Sequence, residues 1–343
     1  MRRIRQRRRF SMVALAAGML VAAVVPVAGQ DAVAAPAAAV ADDGAKVIDE
    51  TRIDERTIDL TIETPSLPGD IFQPGTAMVR LLVPAGWSKD SDRTWPVLYL
   101  LHGCCEPMEY KSWTEFTDVK DFTADKQAII VMPSAGKIGM YSKWWNYGFS
   151  DKPDWPTFHM TEVRQILERG YNAGTKRSIA GLSMGAYGAM EYASRFPGTF
   201  GAAAAYSGAI NVLMPPIPEV TQLNIMAQGI FPWGILWGDP WSQRARWMDH
   251  NPFDKVEKLR GTRLYVSSGD GNPGPLEDPN APDPAGELLE GIALGNSKTF
   301  TEKLQRNGIP VTTDYYGPGT HTWPYWERAL KRSWPILASG MGI

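Results

Sequence analysis

Two segments of the chain are continuously apolar and end at glycine. They are Trp95–Gly103, "WPVLYLLHG", and Ala128–Gly136, "AIIVMPSAG". Such runs are typical of strands buried on both faces, as in a parallel sheet that helices cover on either side. Two earlier segments, "TIDLTIETPSL" and "AMVRLLVPAGW", alternate between apolar and polar residues instead. That alternation predicts strands at an edge of the sheet.

Predicted strands and helices alternate through the rest of the chain. Helices are predicted in "TFHMTEVRQILERGYN", in "SKTFTEKLQRNG" and after "HTWPYW", and strands in "GAAAAYSG", "TRLYVSSGDG" and "VTTDYYGPG". This order favours a single, mostly parallel, doubly wound α/β domain. We place that domain at residues 42–343.

Residues 211–251 interrupt the alternation with prolines and tryptophans. They are Pro215, Pro216, Pro218, Pro232, Trp233, Trp237, Trp241 and Trp247. We interpret the segment as a helical cap inserted over the functional site. A second packing layer would have a similar composition.

The stretch "SIAGLSMGAYGAM" places Ser183 between two glycines where a strand gives way to a helix. A sharp turn with serine at its tip forces unusual backbone angles, which explains the small flanking residues. The Gly-x-Ser-x-Gly motif alone is short enough to arise in an ordinary packing turn. A nucleophilic Ser183 therefore requires a base, a carboxylate and oxyanion donors elsewhere in the chain.

The sequence contains four histidines. His159 lies in an amphipathic helical pattern and His250 in a helix-ending turn, and both positions are typical of structural residues. His102 ends a strand, where it suits a loop-shaping role. His321 follows the last predicted strand in a Gly- and Pro-rich loop. A Ser–acid–His chain order requires the base there, so we predict His321 as the base.

Two carboxylates are candidates for the group that orients His321. Asp270 ends the strand in "YVSSGDG", a common place for a triad carboxylate. Glu290 lies in "GELLEGIALGNSKTF", just ahead of a predicted helix. Spacing alone leaves both open.

The oxyanion hole is predicted to form from two backbone N–H groups. One belongs to Met184, directly after the nucleophile, and the other to Cys104, in the loop after "VLYLLHG". A tight turn after a buried strand is equally compatible with the Cys104 segment.

Composition and charge exclude some classes of partner and cofactor. The formal net charge is −2 and the pI about 6.1, which gives no electrostatic reason to expect nucleic acid or an anionic membrane. The two cysteines, Cys104 and Cys105, are adjacent. Because neighbours bridge only with severe strain, we expect two small buried residues and no cysteine-based metal site. Nothing implies a metal or an organic cofactor.

The N-terminus has the pattern of an export signal. A basic "MRRIRQRRRF" precedes an apolar run and an Ala-rich stretch with A-x-A sites, so we predict cleavage after about Ala34 or Ala41. The residues "RRRF" also fit the twin-arginine form. An uncleaved anchor is the alternative, although the apolar run is short and Ala-rich for one. We assign residues 1–41 to the signal and leader, and expect residues 35–50 to be flexible.

Several segments together resemble the esterase D group of α/β-hydrolases, and within it the antigen 85-type mycolyltransferases and related actinobacterial secreted esterases. They are "VLYLLHG", "IIVMPSAG", "YSKWW", "AGLSMGAYGAM", "WGDP" with "HNP", and "GPGTHTWPYW". The resemblance runs from about Pro84 to Trp334. It implies an α/β-hydrolase fold and acyl transfer through an acyl-serine.

The resemblance also favours one acid. In those acyltransferases the triad acid is a glutamate in a Phe-Leu-Glu segment before the histidine, and "LLE", ending at Glu290, matches it. The residue that matches Asp270 is not an acid there, so Asp270 is the alternative. Trp323 matches a tryptophan on the sugar-binding side of the family's site, although a simple packing aromatic would look the same.

The chain departs from the mycolyltransferases at two positions beside the oxyanion glycine. An aspartate and an arginine that help to bind trehalose are replaced by His102 and Cys105. We place both residues, with Trp323, on the substrate-binding side. The replacements argue against trehalose as the acceptor.

We therefore predict an exported serine esterase with a Ser183–His321–Glu290 triad. It would be secreted or associated with the cell envelope and would act on acyl esters, lipids and glycolipids included. It would have no nucleic-acid partner and no stable membrane span after cleavage. One alternative is a mycolyltransferase-like acyltransferase with a sugar or lipid hydroxyl as acceptor. The other is a non-catalytic surface binding protein, which has little reason to keep all three residues.

Overall fold

The computed structural model describes residues 39–70 and 73–343. The predicted export signal and a cleavage after Ala34 lie outside the described residues. None of the helices in the described ranges is both long and apolar enough to cross a membrane.

The strands form one sheet in the order β1-β2-β3-β5-β4-β6-β7-β8-β9. They are β1 (Lys46–Arg52), β2 (Thr57–Thr64), β3 (Gly75–Leu82), β4 (Trp95–Leu101), β5 (Ile129–Pro133), β6 (Ala173–Leu182), β7 (Ala202–Tyr206), β8 (Arg263–Ser268) and β9 (Thr312–Tyr315). From β5 through β4 to β9 the neighbours are parallel, and β1, β2 and β3 pair antiparallel at one edge. The predicted α/β class and the edge strands are confirmed.

Helices cover both faces of the sheet. They are α1 (Ser112–Phe116), α2 (Val119–Phe122), α3 (Trp155–Thr157), α4 (Arg164–Gly170), α5 (Met184–Arg195), α6 (Ile217–Ala227), α7 (Arg244–Asp249), α8 (Pro284–Arg306) and α9 (Trp323–Met341). A π-helix, Phe158–Val163, joins α3 to α4, and short 3-10 segments occupy Glu109–Lys111, Asn146–Gly148 and Pro252–Leu259.

The continuous apolar run of β4 follows from this layering. Alternate residues enter two different cores: Tyr99 packs in the core that contains α4 and α5, and Leu100 packs in the core that contains α9. Because both faces are buried, neither set of positions can be polar. Loops to the helices begin at the carboxyl ends of the parallel strands. Side chains of a functional site are therefore expected at this edge of the sheet.

Two boundary predictions are wrong. Residues 39–50 are not a flexible leader, because β1 begins at Lys46, Ala41 and Ala45 are buried, and Asp42 pairs with Arg169 on the surface near α4. Helix α8 begins at Pro284, with the Asp283 side chain accepting from the Gly286 N–H as an N-cap. Glu290 therefore lies inside this helix rather than ahead of it.

The segment 211–251 is helical in part, as its interruption of the strand pattern predicts. Helices α6 and α7 lie between β7 and β8, and Trp237 and Trp247 are fully buried. That the segment caps the functional site remains a prediction.

A buried carboxyl group in the π-helix makes the stability of the fold sensitive to pH. Glu162 is fully buried and accepts hydrogen bonds from the hydroxyls of Thr64 and Ser66. Burial raises the pKa of Glu162 to about 7, the two hydroxyl donors oppose the rise, and the neighbouring Asp43 adds to it. The folded state therefore favours the protonated form.

We expect this group to stabilise the fold at low pH and to cost stability as pH rises. The contribution of Glu162 to the free energy of unfolding is fully present below about pH 4.5, the pKa of this carboxyl group in the unfolded chain. It is lost as pH rises through about 7, the pKa in the folded protein. The loss amounts to roughly 3.5 kcal/mol at about 1.4 kcal/mol per pKa unit. Urea unfolding at pH 5 and pH 8 measures it, and Glu162→Gln should remove this part of the pH dependence. An unchanged pH dependence in that variant would contradict the assignment.

Candidate active site

Ser183 stands at the tip of the turn between β6 and α5. Its backbone has an unusual positive φ, with φ 51° and ψ −116°, and its N–H donates to the carbonyl of Tyr206 at 2.9 Å. A non-glycine residue held in such a conformation is typical of a functional turn. The turn presents the serine at the carboxyl edge of the sheet.

Close backbone packing explains the glycines on either side of Ser183. A Cβ atom at Gly181 would overlap the carbonyl oxygen of Gly185. A Cβ atom at Gly185 would lie 2.6 Å from the carbonyl oxygens of Leu101 and His102. Larger residues would push the start of α5 away from the end of β4, so both glycines are required by the fold of the turn.

His321 and Glu290 form a direct hydrogen bond, with His321 Nδ1 2.8 Å from Glu290 Oε2. Glu290 is completely buried in α8. Its other oxygen, Oε1, accepts from Ser207 Oγ at 2.8 Å, Ser268 Oγ at 2.9 Å and the Gly269 N–H at 2.7 Å. Four donors therefore fix the orientation of this carboxyl group.

The ring of His321 is held on a second side by Trp326. The two rings meet edge to face, with centroids 5.0 Å apart, and Trp326 Nε1 donates to Ser207 Oγ at 3.1 Å. Because Nδ1 faces Glu290, the opposite nitrogen, Nε2, is the one available to a nucleophile.

Ser183 is tied to this network through the backbone. Its N–H bonds to Tyr206, and the next residue, Ser207, holds Glu290. Within residues 39–70 and 73–343 the hydroxyl of Ser183 makes no hydrogen bond to His321. Hydrogen bonds between nucleophile and base are often long without substrate and tighten only in the complex.

The geometry favours Glu290 over Asp270 as the partner of His321. Asp270 Oδ1 accepts from the N–H of Asn272 at 2.9 Å, which closes a local turn after β8. Glu290 bonds to the imidazole directly. Two of the donors to Glu290 were not predicted from the sequence. Ser207 directly follows β7, in "YSG", and Ser268 ends β8, in "VSSG". Their positions at strand ends are the only sequence signals for them.

His102 is buried, which corrects the expectation that it contacts substrate. Its Nε2 accepts from the Ala135 N–H at 3.0 Å, so Nδ1 carries the proton and donates to the Gly103 carbonyl at 2.8 Å. Both ring nitrogens are therefore used within the protein. Burial lowers the pKa of His102 to about 4.

The His102 hydrogen bond bears on the predicted oxyanion donor. In a trans peptide the C=O and the next N–H point in opposite directions, so holding the Gly103 carbonyl also fixes the Cys104 N–H. Gly103 lies against the nucleophile turn, since a Cβ there would be 3.6 Å from Ser183 Cβ. In the described part of the chain, neither the Cys104 nor the Met184 N–H donates a hydrogen bond.

Cys104 and Cys105 form a disulfide, which corrects the expectation of two unpaired cysteines. Cys105 has a left-handed backbone, with φ 67°, and its N–H donates to the carbonyl of Lys137. The adjacency of the two cysteines in the sequence does not reveal this turn conformation. Cys105 is exposed, whereas Cys104 packs against the core.

Trp323 lies at the start of α9, two residues after His321. Its ring packs against Trp113, Phe116 and Trp326, with centroids 5.4, 5.0 and 5.2 Å away. Burial raises the pKa of Glu106, and a hydrogen bond with the Trp323 side chain partly offsets the rise. No motif or spacing in the sequence marks Glu106 as a site residue.

A cavity of about 580 Å³ borders the loop that carries His321. Thr320 and Thr322, on either side of the histidine, line it together with a proline-rich loop. Glu277 holds that loop in place, since it accepts from Thr320 Oγ1 at 2.6 Å and from Tyr325 OH at 2.7 Å. The volume lies within the range of small-molecule sites.

The remaining histidines are occupied by the protein. His159 is fully buried between Tyr192 OH and the Ser134 carbonyl, each 2.8 Å from the ring. His250 stacks on Trp237. Across the described ranges, no group of three or more His, Cys, Asp or Glu side chains is placed to hold a metal ion.

Residues 74–335 match the Esterase family, described as "Putative esterase". Esterase Rv1288 of Mycobacterium tuberculosis is 30% identical over 285 residues, which cover 81% of this chain and 58% of that protein. Diacylglycerol acyltransferase/mycolyltransferase Ag85A of Mycobacterium gordonae is 28% identical over 291 residues, which cover 81% of this chain and 82% of that protein. The chain thus spans little more than half the length of the esterase relative.

Solved structures share the fold at low sequence identity. Mycobacterium tuberculosis MPT51 superposes with a TM-score of 0.66 at 23% identity, covering 80% of this chain and 97% of that one. An S-formylglutathione hydrolase from Agrobacterium tumefaciens superposes with a TM-score of 0.63 at 15% identity, covering 86% and 99%. These likenesses identify the α/β-hydrolase fold.

We expect His102 to stay neutral until well below neutral pH. Neutral His102 stabilises the fold above about pH 6.5, the pKa of the imidazole in the unfolded chain. This stabilisation is lost as pH falls through about 4, the pKa in the folded protein. Long-range ¹H–¹⁵N NMR at pH 7 and pH 5 should find the Nδ1–H tautomer at both values. Titration near pH 6.5, or a proton on Nε2, would contradict the hydrogen-bond assignment.

Proposed function

Since the chain belongs to the Esterase family, we propose that it is a serine-dependent carboxylic ester hydrolase that works through an acyl-serine. The observation that carries the proposal is the 2.8 Å hydrogen bond between His321 and the buried Glu290, on the sheet edge that also presents Ser183. A nucleophile turn, an oriented imidazole and a fixed carboxyl group are what acyl transfer requires.

In the first half-reaction Ser183 Oγ attacks the ester carbonyl and His321 Nε2 takes its proton. Glu290 holds the imidazole in the required tautomer and stabilises its charged form. The N–H groups of Met184 and Cys104 receive the developing oxyanion, and one such contact contributes about 3 kcal/mol. The alcohol leaves with the proton from His321.

In the second half-reaction an acceptor attacks the acyl-serine, again with His321 as base. Water gives the free acid, and a sugar or lipid hydroxyl gives a new ester. The cavity of about 580 Å³ that Thr320 and Thr322 border is a candidate for holding part of the substrate. The Trp323 ring and the Glu106 carboxyl group, which contact each other near the same loop, are candidates for contacting the acceptor side.

Acyltransferase activity is the second candidate, and the mycolyltransferase relatives favour it. The replacements beside the oxyanion glycine argue for water instead. His102 has both nitrogens engaged within the protein, and Cys105 is tied in a disulfide. Neither position offers the charged group that trehalose would need, so hydrolysis is the preferred reaction.

We also propose that the protein is exported and acts outside the cytoplasm. The basic and apolar N-terminal pattern carries this part of the proposal. An exported esterase of this kind would take acyl esters of the cell envelope or its surroundings as substrates. A non-catalytic binding protein on the same fold is the remaining class.

Purified protein incubated with an acyl ester, with and without trehalose or glycerol, tests the reaction. We expect free acid at a rate that the added alcohols leave unchanged, and we expect Ser183→Ala to lose activity by a factor on the order of a thousand or more. Mass spectrometry of free acid and acylated alcohol measures both products.

The other outcomes discriminate between the alternatives. Acylated alcohol formed in preference to free acid would make the protein a transferase. No turnover of any ester by the wild type, or full turnover by Ser183→Ala, would contradict the serine mechanism and support a binding role.

A further inference from the structure

Large aromatic side chains are exposed on two loops, residues 143–152 and 230–241. Phe149 is 93% exposed and Phe231 is 59% exposed. Tyr147 and Trp233 are also classed as exposed, and Trp145 is half-buried beneath them. Exposed aromatics grouped in this way usually mark an interaction surface.

Backbone and side-chain hydrogen bonds join the two loops into one surface. The Trp145 N–H donates to the Leu236 carbonyl at 2.7 Å, and the Tyr147 hydroxyl donates to the Trp233 carbonyl. The rings of Trp145 and Tyr147 lie 4.7 Å apart. We call the exposed group the aromatic face: Trp145, Tyr147, Phe149, Phe231 and Trp233.

Packing within the domain accounts for three other tryptophans of this region, but not for Trp241, which is 68% exposed, or for the aromatic face. Trp144, Trp237 and Trp247 are buried, and each indole N–H has an acceptor within the protein. Phe149 has almost its whole side chain in water instead. Keeping so much apolar surface in solvent is unfavourable unless something else covers it.

In the part of the chain that the structure describes, cations that lack a carboxylate partner lie around the aromatic face. The guanidinium of Arg246 lies 4.5 Å from the centre of the Trp145 ring, and a cavity of about 570 Å³ is lined by Trp145, Phe149 and Arg246. Within the described ranges, Arg246, Arg244 and Lys152 form no ion pair with a carboxylate.

Most carboxylates of the same segments face a cation. Asp151 and Asp154 share Lys143, and Asp249 pairs with Arg195. Asp239 accepts two backbone N–H groups of its own turn and keeps its negative charge. The surroundings of the aromatic face therefore carry a local excess of one positive charge, although the whole chain carries −2; the six cations are Lys143, Lys152, Arg195, Arg244, Arg246 and Lys255, and the five carboxylates are Asp151, Asp154, Glu191, Asp239 and Asp249.

We propose that the aromatic face docks the protein on an anionic lipid surface. Tyr, Trp and Phe are the side chains that settle at the boundary between headgroups and acyl chains, and nearby arginine and lysine attract anionic headgroups. Docking would be reversible and peripheral. The inference rests on the proposed function for its purpose, because an esterase whose substrates are lipids must reach them in an aggregate.

Vesicle sedimentation tests the docking independently of catalysis. We expect the protein to bind phosphatidylcholine vesicles more tightly when they contain phosphatidylglycerol, with binding weakened by salt. The pair Phe149→Ser with Trp233→Ser should lower the partition coefficient roughly ten-fold, and Arg246→Gln should remove much of the preference for phosphatidylglycerol. The matched control is Ile48→Ser with Ile53→Ser, which removes two exposed aliphatic side chains in and after β1.

Two further measurements separate docking from the reaction. Ser183→Ala should bind vesicles like the wild type, and Phe149→Ser, which lies outside the predicted cap, should hydrolyse a short, water-soluble ester at the wild-type rate. Equal binding to both kinds of vesicle, or equal losses in the aromatic and control variants, would overturn the proposal. The proposal would also be overturned if the protein bound a soluble glycan but not vesicles, and if the Trp233 variant lost that glycan binding.

Discussion

The carboxyl group of Glu290 is the point on which the proposed site depends. It lies in the interior with no exposed surface, and a buried carboxyl group left without partners is strongly destabilising. Its four donors come from Ser207 after β7, Ser268 and Gly269 at the end of β8, and His321 after β9. Satisfying this one side chain therefore fixes the relative positions of three strand ends, and it places the imidazole at the same time.

A second constraint is the close approach of β4 to the start of α5. Gly181 and Gly185 let the two backbones meet, and the strained turn at Ser183 results from that contact. On the other side of the turn, buried His102 holds the Gly103 peptide, so that the Cys104 N–H is directed by a residue that never meets substrate. Backbone packing thus positions Ser183 and the loop at Cys104, and side-chain hydrogen bonds position His321, in the roles we propose for them.

The sequence predicts those parts of the structure that follow from local pattern. The buried strand β4, the serine turn and the loop position of His321 could all be read from periodicity and chain order. The choice between Glu290 and Asp270 could not, because donors from three distant strand ends decide it; the family resemblance favoured Glu290 for another reason. Burial of His102, the disulfide at Cys104 and the early start of α8 likewise depend on tertiary contacts or on backbone angles that spacing does not reveal.

We propose that Glu290, and not Asp270, orients the imidazole of His321. Steady-state hydrolysis of a soluble ester by Glu290→Gln and by the matched variant Asp270→Asn distinguishes the two carboxylates, with circular dichroism to confirm that both variants are folded. We expect kcat to fall by about a thousand-fold or more in Glu290→Gln, as when a triad carboxylate is replaced by its amide, and to stay near wild type in Asp270→Asn. A folded Glu290→Gln with near wild-type kcat, or a comparable loss in Asp270→Asn, would contradict it.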